Sequence, residues 1–125
     1  MVTLIVPEMD DAIRHFTRDW GFHLINDSWH ASGHRWVEID PGSGARLRLA
    51  EAINRDQRQA IGNQAGGRVA FFLRVVALDQ CVATWAANGI EVVEPKRSES
   101  YGKVVVLKDK YENRWDVLNT GEARQ

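Results

Sequence analysis

The chain has 125 residues, 44% of them hydrophobic and 26% charged, which suits one packed core and excludes a disordered or fibrous class. Its 16 basic and 17 acidic residues are interspersed and nearly cancel to −1, so no basic field exists to hold nucleic acid. Val2–Val6 is too short for a signal peptide or membrane span, and the single Cys81 excludes an internal disulfide framework, so a cytoplasmic protein with a buried, inert thiol is expected.

In chain order, the β-branched run Val2–Val6 reads as a strand. Met9, Ala12, Ile13, Phe16 and Trp20 then share one helical stripe, which Gly21 stops. Extended character resumes at residues 22–25. A hairpin follows, with a strand over Arg35–Asp40, a Pro41-Gly42-Ser43-Gly44 turn and a strand over residues 45–50. Residues 54–67, rich in Gln, Asn, Arg and Gly, read as a connector.

The plan then recurs. Residues 69–75 form a strand, and Leu78, Cys81, Val82, Trp85 and Ala86 form a helical stripe that Gly89 stops. Residues 90–93 are extended, and residues 104–107, 109–112 and 113–118 make a second hairpin with its turn. Gly89 minus Gly21, Val104 minus Trp36 and Arg114 minus Arg46 each give 68, the mark of a repeated β-α-β-β-β unit. The expected organisation is one domain, with module one over residues 1–53, the connector over 54–67, module two over 68–120 and a frayed tail over 121–125.

Several short stretches carry a family resemblance: Val6-Pro7-Glu8-Met9-Asp10-Asp11-Ala12-Ile13, Asp19-Trp20-Gly21-Phe22, Gly66-Gly67-Arg68-Val69-Ala70-Phe71-Phe72-Leu73, Ala87-Asn88-Gly89-Ile90, and Tyr101-Gly102 followed by residues 109–116. In this order and spacing, over nearly the whole chain, they resemble the vicinal-oxygen-chelate superfamily of glyoxalase I, fosfomycin-resistance proteins, extradiol dioxygenases and bleomycin-binding proteins. The resemblance implies an α+β fold in which two βαβββ modules pair into a curved mixed sheet, with helices on the convex face, a ligand on the concave face and often a homodimer. Glu112 stands where the family's Asp-x-x-Gly-Asn turn has glycine, so a mildly strained left-handed residue is expected there.

Strand alternation about the first turn puts Trp36, Glu38, Arg46 and Arg48 on one face, with Val37, Ile39, Leu47 and Leu49 on the other. The apolar face must meet the helix, so the first set lines the cup. The same parity assigns Val104, Val106, Arg114, Asp116 and Leu118 to the cup in module two, with Val105, Leu107, Trp115 and Val117 packing outward. The first strands are expected to add Met1, Thr3, Ile5, Val69, Phe71 and Leu73.

The resemblance places metal ligands at Met1, Arg48, Val69 and Asp116. Of these only Asp116 is a donor and Arg48 would repel a cation, so no metal or other cofactor is expected. Arg48 and Asp116 occupy equivalent places in the repeat, and a charge pair across the pseudo-twofold axis, either structural or ligand-binding, is the expectation. His30 and His34 lie around Ala31-Ser32-Gly33, where surface histidines entering a strand outweigh a metal pair. His15 and His23 read as peripheral, and Lys108-Asp109-Lys110 reads as a solvated turn. Trp29 reads as a lid, a dimer contact or surface packing.

The functional expectation is a metal-independent protein that binds an aromatic or polar small molecule through Trp36, Glu38, Arg46, Arg48, Phe71, Arg114 and Asp116. The alternatives are a lyase or isomerase with Asp116 or Glu38 as general base, and a metal-dependent glyoxalase or dioxygenase with unusual ligands.

Overall fold

A computed structural model describes residues 1–119; the tail expected over 121–125 lies outside the described residues. The first half runs β1 (Val2–Val6), α1 (Met9–Arg14), a π-helical turn (His15–Asp19), β2 (His23–Trp29), β3 (Arg35–Asp40) and β4 (Leu47–Glu51). The second half runs β5 (Phe71–Val75), α3 (Leu78–Ala87), β6 (Glu91–Glu99), β7 (Gly102–Lys108) and β8 (Arg114–Asn119). The connector is not purely irregular, since it holds a short helix, α2 (Arg55–Ala60), with Asn54 as its N-cap.

Each half folds as one four-stranded mixed sheet, ordered β1-β4-β3-β2 and β5-β8-β7-β6, so the two βαβββ modules share one topology. In both, the first strand runs parallel to the last and the hairpins are antiparallel. Gly21 and Gly89 end the two helices with φ +77° and +92°, a conformation that side chains resist.

The helix-facing sides of both sheets close on one apolar cluster. Trp20 lies 5.1 Å from Trp115 and 5.0 Å from Trp85 between ring centroids, and Phe22 lies 5.5 Å from Trp115. The indole N–H groups are also satisfied, because Trp85 donates to the Trp20 carbonyl at 2.8 Å and Trp115 donates to Asp109 at 3.0 Å. Full burial of side chains of this size is the main stabilising term, at roughly 1.5–3 kcal/mol each.

Two polar groups expected at the surface belong to this interior instead. His15 is 6% exposed. Its Nε2 accepts hydrogen bonds from the Trp20 indole and from the Lys110 amide, which leaves the proton on Nδ1 to be donated to Asp19 at 2.8 Å. The π-helical turn that starts at His15 bonds the Trp20 amide to the His15 carbonyl, and the ring pins module one to the β7–β8 turn. Asp109 is 3% exposed and accepts from the Tyr111 and Asn113 amides, the Asn113 side chain and the Trp115 indole. Burial raises its carboxyl above the ordinary value, and those four donors pull it back.

Candidate functional site

The β3–β4 register sets Glu38 opposite Arg48, and β1–β4 sets Thr3 beside Arg48, so module one's outer face carries Thr3, Ile5, Trp36, Glu38 and Arg48 as the alternation requires. The Trp36 indole donates to Glu38 at 2.8 Å. Arg46 reaches Glu38 and Asp40, each at 4.0 Å. The Arg48 guanidinium stacks over the Trp36 ring, 4.6 Å from its centroid. Its Nη2 lies 3.5 Å from His34, and its buried Nε has no hydrogen-bond partner among the described residues. An orphaned buried donor of this kind costs about 1–3 kcal/mol.

Over this face opens a hollow of about 430 Å³, lined among others by Thr3, Ile5, Trp29, His34, Arg35 and Arg48. Its rim brings in Met9 at the start of α1, Glu51 at the end of β4, and Ile53 and Gln57 on the way into α2. Arg35, Glu51 and Gln57 are lining residues that strand alternation does not single out. Arg35 donates to Asp27 and Asp10 at 2.8–2.9 Å, and these hydrogen bonds hold Asp27 below the usual carboxylate range. Glu51 accepts from the Met9 amide at 2.8 Å and so ties the sheet to α1. Trp29, 69% exposed, lies 5.4 Å from Arg35 and forms one wall.

Module two's equivalent face is different. Val104, Val106, Asp116 and Leu118 are all buried, between 0% and 8% exposed. The β6 strand shifts register twice and sets Glu94 opposite Val106 and Arg97 opposite Val104. Arg97 is held by Glu94 at 3.1 Å and Glu99 at 2.6 Å, while Arg114 reaches Glu94 at 4.0 Å. Burial raises the Asp116 carboxyl; Arg97 opposes the shift and Glu94 adds to it. The Asp116 Oδ1 makes no hydrogen bond among the described residues.

Two expectations therefore need correction. Phe71 does not face the cup: it pairs with Trp115 in the β5–β8 ladder and packs on that ring at 4.5 Å, so β5 turns Phe71 and Leu73 to the core and Phe72, 64% exposed, to the cup side. The parity of β5 is set by its pairing with β8, one residue out of step with the first module. Arg48 and Asp116 do not meet either, for no ion pair joins them among the described residues, and Arg48 lines the hollow while Asp116 does not. Trp36, Glu38, Arg46 and Arg48 are brought together, whereas Arg114 and Asp116 stand on the other module. Cys81 is partly rather than fully buried, and burial raises its thiol.

The metal positions fit no ion. Among the described residues no three His, Cys, Asp or Glu side chains converge, and Arg48 and Asp116 offer one carboxylate between them. A hard divalent ion takes six or more oxygen donors, and an imidazole site takes at least three ligands.

Comparison with known proteins gives four findings of weight. The model of the Glyoxalase/Bleomycin resistance protein/Dioxygenase superfamily matches residues 1–117. An uncharacterized protein of Shewanella frigidimarina (strain NCIMB 400) is 36% identical over 126 residues, covering 98% of this chain and 93% of that protein. Among solved structures, UcmS2 superposes with a TM-score of 0.80 at 19% identity, covering 95% of each chain. TnmS3, an antibiotic binding protein from Streptomyces sp. CB03234, gives 0.68 at 21% identity, covering 94% of this chain and 92% of its own. At such identities these two structures show the fold alone.

Proposed function

We propose, from the premise that this chain belongs to the Glyoxalase/Bleomycin resistance protein/Dioxygenase superfamily, that it is a metal-independent protein binding a small organic molecule in the module-one hollow. The observation that carries this reading is the hollow itself, about 430 Å³ on an open face where an indole and an unpaired guanidinium stand together. That volume lies in the range of small-molecule pockets, which combine apolar walls with a few polar groups. The antibiotic-binding neighbour of the same fold supports sequestration as a role, and sequestration needs no catalytic group. Arg48 meets the ligand from its seat on the Trp36 ring, Glu38 holds that indole in place, and Arg46 stands beside Glu38.

The same reading has the chain act in the cytoplasm as a homodimer. No helix among the described residues is long and apolar enough to cross a membrane. The β2 edge exposes Leu24 and Ile25, each at 43%, and an unpaired strand edge with apolar side chains is a template for a second copy. Native mass spectrometry is expected to show a dimer.

Titration with a panel of aromatic acids, amides and amines is expected to shift the intrinsic tryptophan fluorescence. Trp36→Ala is expected to remove most of that shift, and EDTA to leave it unchanged. Silence of the wild-type protein across the panel overturns the reading; binding that is lost in EDTA and restored by a divalent ion overturns its metal independence.

One observation favours a second reading, a lyase or isomerase with Asp116 as general base: burial raises this carboxyl, and its Oδ1 is unpaired. Turnover of a glyoxal hemithioacetal that disappears in Asp116→Asn is the result that reading requires.

A further inference from the structure

We infer that the module-one hollow selects a singly charged aromatic or extended apolar acid, its carboxylate seated on Arg48 and its body lying along Trp29, Met9 and Ile53. The inference rests on the small-molecule reading above and names the ligand class.

Two arginines line the same hollow, and their states differ. Arg35 is spent, with three donor contacts shared between Asp27 and Asp10. Arg48 has no carboxylate partner among the described residues, because Glu38, its cross-strand neighbour, accepts from Trp36 and pairs with Arg46. Stacking on Trp36 covers the guanidinium face and Nε is buried, so the Nη1–Nη2 end, which takes a carboxylate through paired N–H groups, is the remaining polar surface.

Arg48 offers one positive charge at its own end of the hollow and so calls for one negative charge there. A dianionic phosphate would leave a charge over in a hollow whose second arginine is already neutralised. Thr3, beside Arg48 in the ladder, adds a hydroxyl donor at the same end. The far end is shaped for the opposite chemistry. Glu51 is turned to the Met9 amide there and repels an anion, while Met9, Ile53 and the Trp29 ring give an apolar wall. The charge layout therefore fixes the pose, acid end toward Arg48 and apolar end toward Trp29.

Isothermal titration calorimetry of the full chain with 2-naphthoate, 2-naphthamide and 2-naphthylmethylammonium tests this. Wild-type protein is expected to bind the acid about 10- to 100-fold tighter than the amide, the span a charge-assisted contact supplies, with the ammonium weakest. Arg48→Gln is expected to abolish the preference, so that the variant binds the acid no more tightly than the amide. Arg48→Lys keeps the charge and loses the fork, and is expected to show a preference reduced several-fold; should Arg48→Gln fail to fold, an undiminished preference in Arg48→Lys overturns the inference. Equal binding of acid and amide by the wild type overturns the carboxylate assignment and leaves the small-molecule hollow standing. A preference that survives Arg48→Gln overturns the role of Arg48. If none of the three compounds binds, both the inference and the reading beneath it fall.

Discussion

The two modules are built from the same elements in the same order, yet their outer faces have opposite characters. Where module one carries Trp36, Glu38, Arg48 and Ala50, module two carries Val104, Val106, Asp116 and Leu118 at positions 68 residues later. The first set is half-buried and lines or borders a hollow, while the second is buried outright. The inner faces show no such divergence: Val37, Ile39, Leu47 and Leu49 in one, Val105, Leu107, Trp115 and Val117 in the other, are apolar and buried alike. The fold constrains the side that meets the helices. The other side is free either to stay open over a hollow or to become a second packed layer, and here it has become one of each.

If the inner faces are one structure, removing their central ring should unfold both modules together. Trp115 touches Phe16, Trp20, Phe22 and Phe71 and donates to Asp109. Trp115→Ala is expected to cost about 3–5 kcal/mol, read as a shift of a single urea transition followed by circular dichroism. A split transition in which one module outlives the other would break the comparison at its base.

How much of this was legible in the sequence depended on what fixed each strand's phase. Parity was readable for β3, β4, β7 and β8, because the turns at Pro41-Gly42-Ser43-Gly44 and Asp109 to Glu112 pin their register. No tight turn pins β5, and with Phe71 and Phe72 adjacent the pattern of apolar residues cannot choose a face; only the ladder to β8 decides it. His15 was hidden because its partners, the Trp20 indole across the π-helical turn and the Lys110 amide 95 residues on, meet it only in the folded chain. Asp109, between two lysines, looked solvated, because the four N–H groups it serves become visible only once the turn is folded. The cup face of module one could be read, but the hollow could not, since its walls come from the loop at His34, from Ile53 and from Gln57 rather than from alternation along a strand.

The equivalent pair Arg48 and Asp116 sharpens the contrast between open and closed faces. Burial raises the Asp116 carboxyl, so the folded chain holds this proton more tightly than the unfolded one. Its contribution to stability is therefore largest below the ordinary value of 3.8 and is lost as pH rises through the raised one. Asp116→Asn removes a poorly paired buried charge and is expected to gain about 1 kcal/mol at neutral pH, with the gain shrinking toward pH 4. Arg48→Gln, on the open face, loses the stacking on Trp36 but also removes the orphaned Nε donor, and because the two offset it is expected to stay within about 0.5 kcal/mol of wild type. Thermal melts at neutral and acid pH compare the two directly, and a larger effect at Arg48 than at Asp116 would reverse which face is taken to be packed.

The smallest effect concerns the one place where the hairpin turns disagree in residue but not in shape. Gly44 in module one has φ +75°, and Glu112, 68 residues later, has φ +72°, so the same left-handed backbone is made with glycine in one copy and against side-chain sterics in the other. Glu112 is retained by contacts module one lacks: its carboxylate reaches Lys108 at 3.1 Å, and the connector's Gly62 lies against it so closely that a Cβ added there would sit 2.8 Å from the Glu112 Cβ. Glu112→Gly relieves the backbone and gives up only a solvated ion pair, for an expected net gain of about 0.5 kcal/mol. The two sites should also couple. Gly62→Ala meets both Glu112 and the Tyr111 carbonyl, so it is expected to cost less in the Glu112→Gly background than in wild type, yet not nothing, because the carbonyl contact at 2.9 Å and the φ of +73° remain. Additive costs in that double-mutant cycle would mean that the connector does not rest on the Glu112 side chain, and the strained residue would then be left without a partner to account for it.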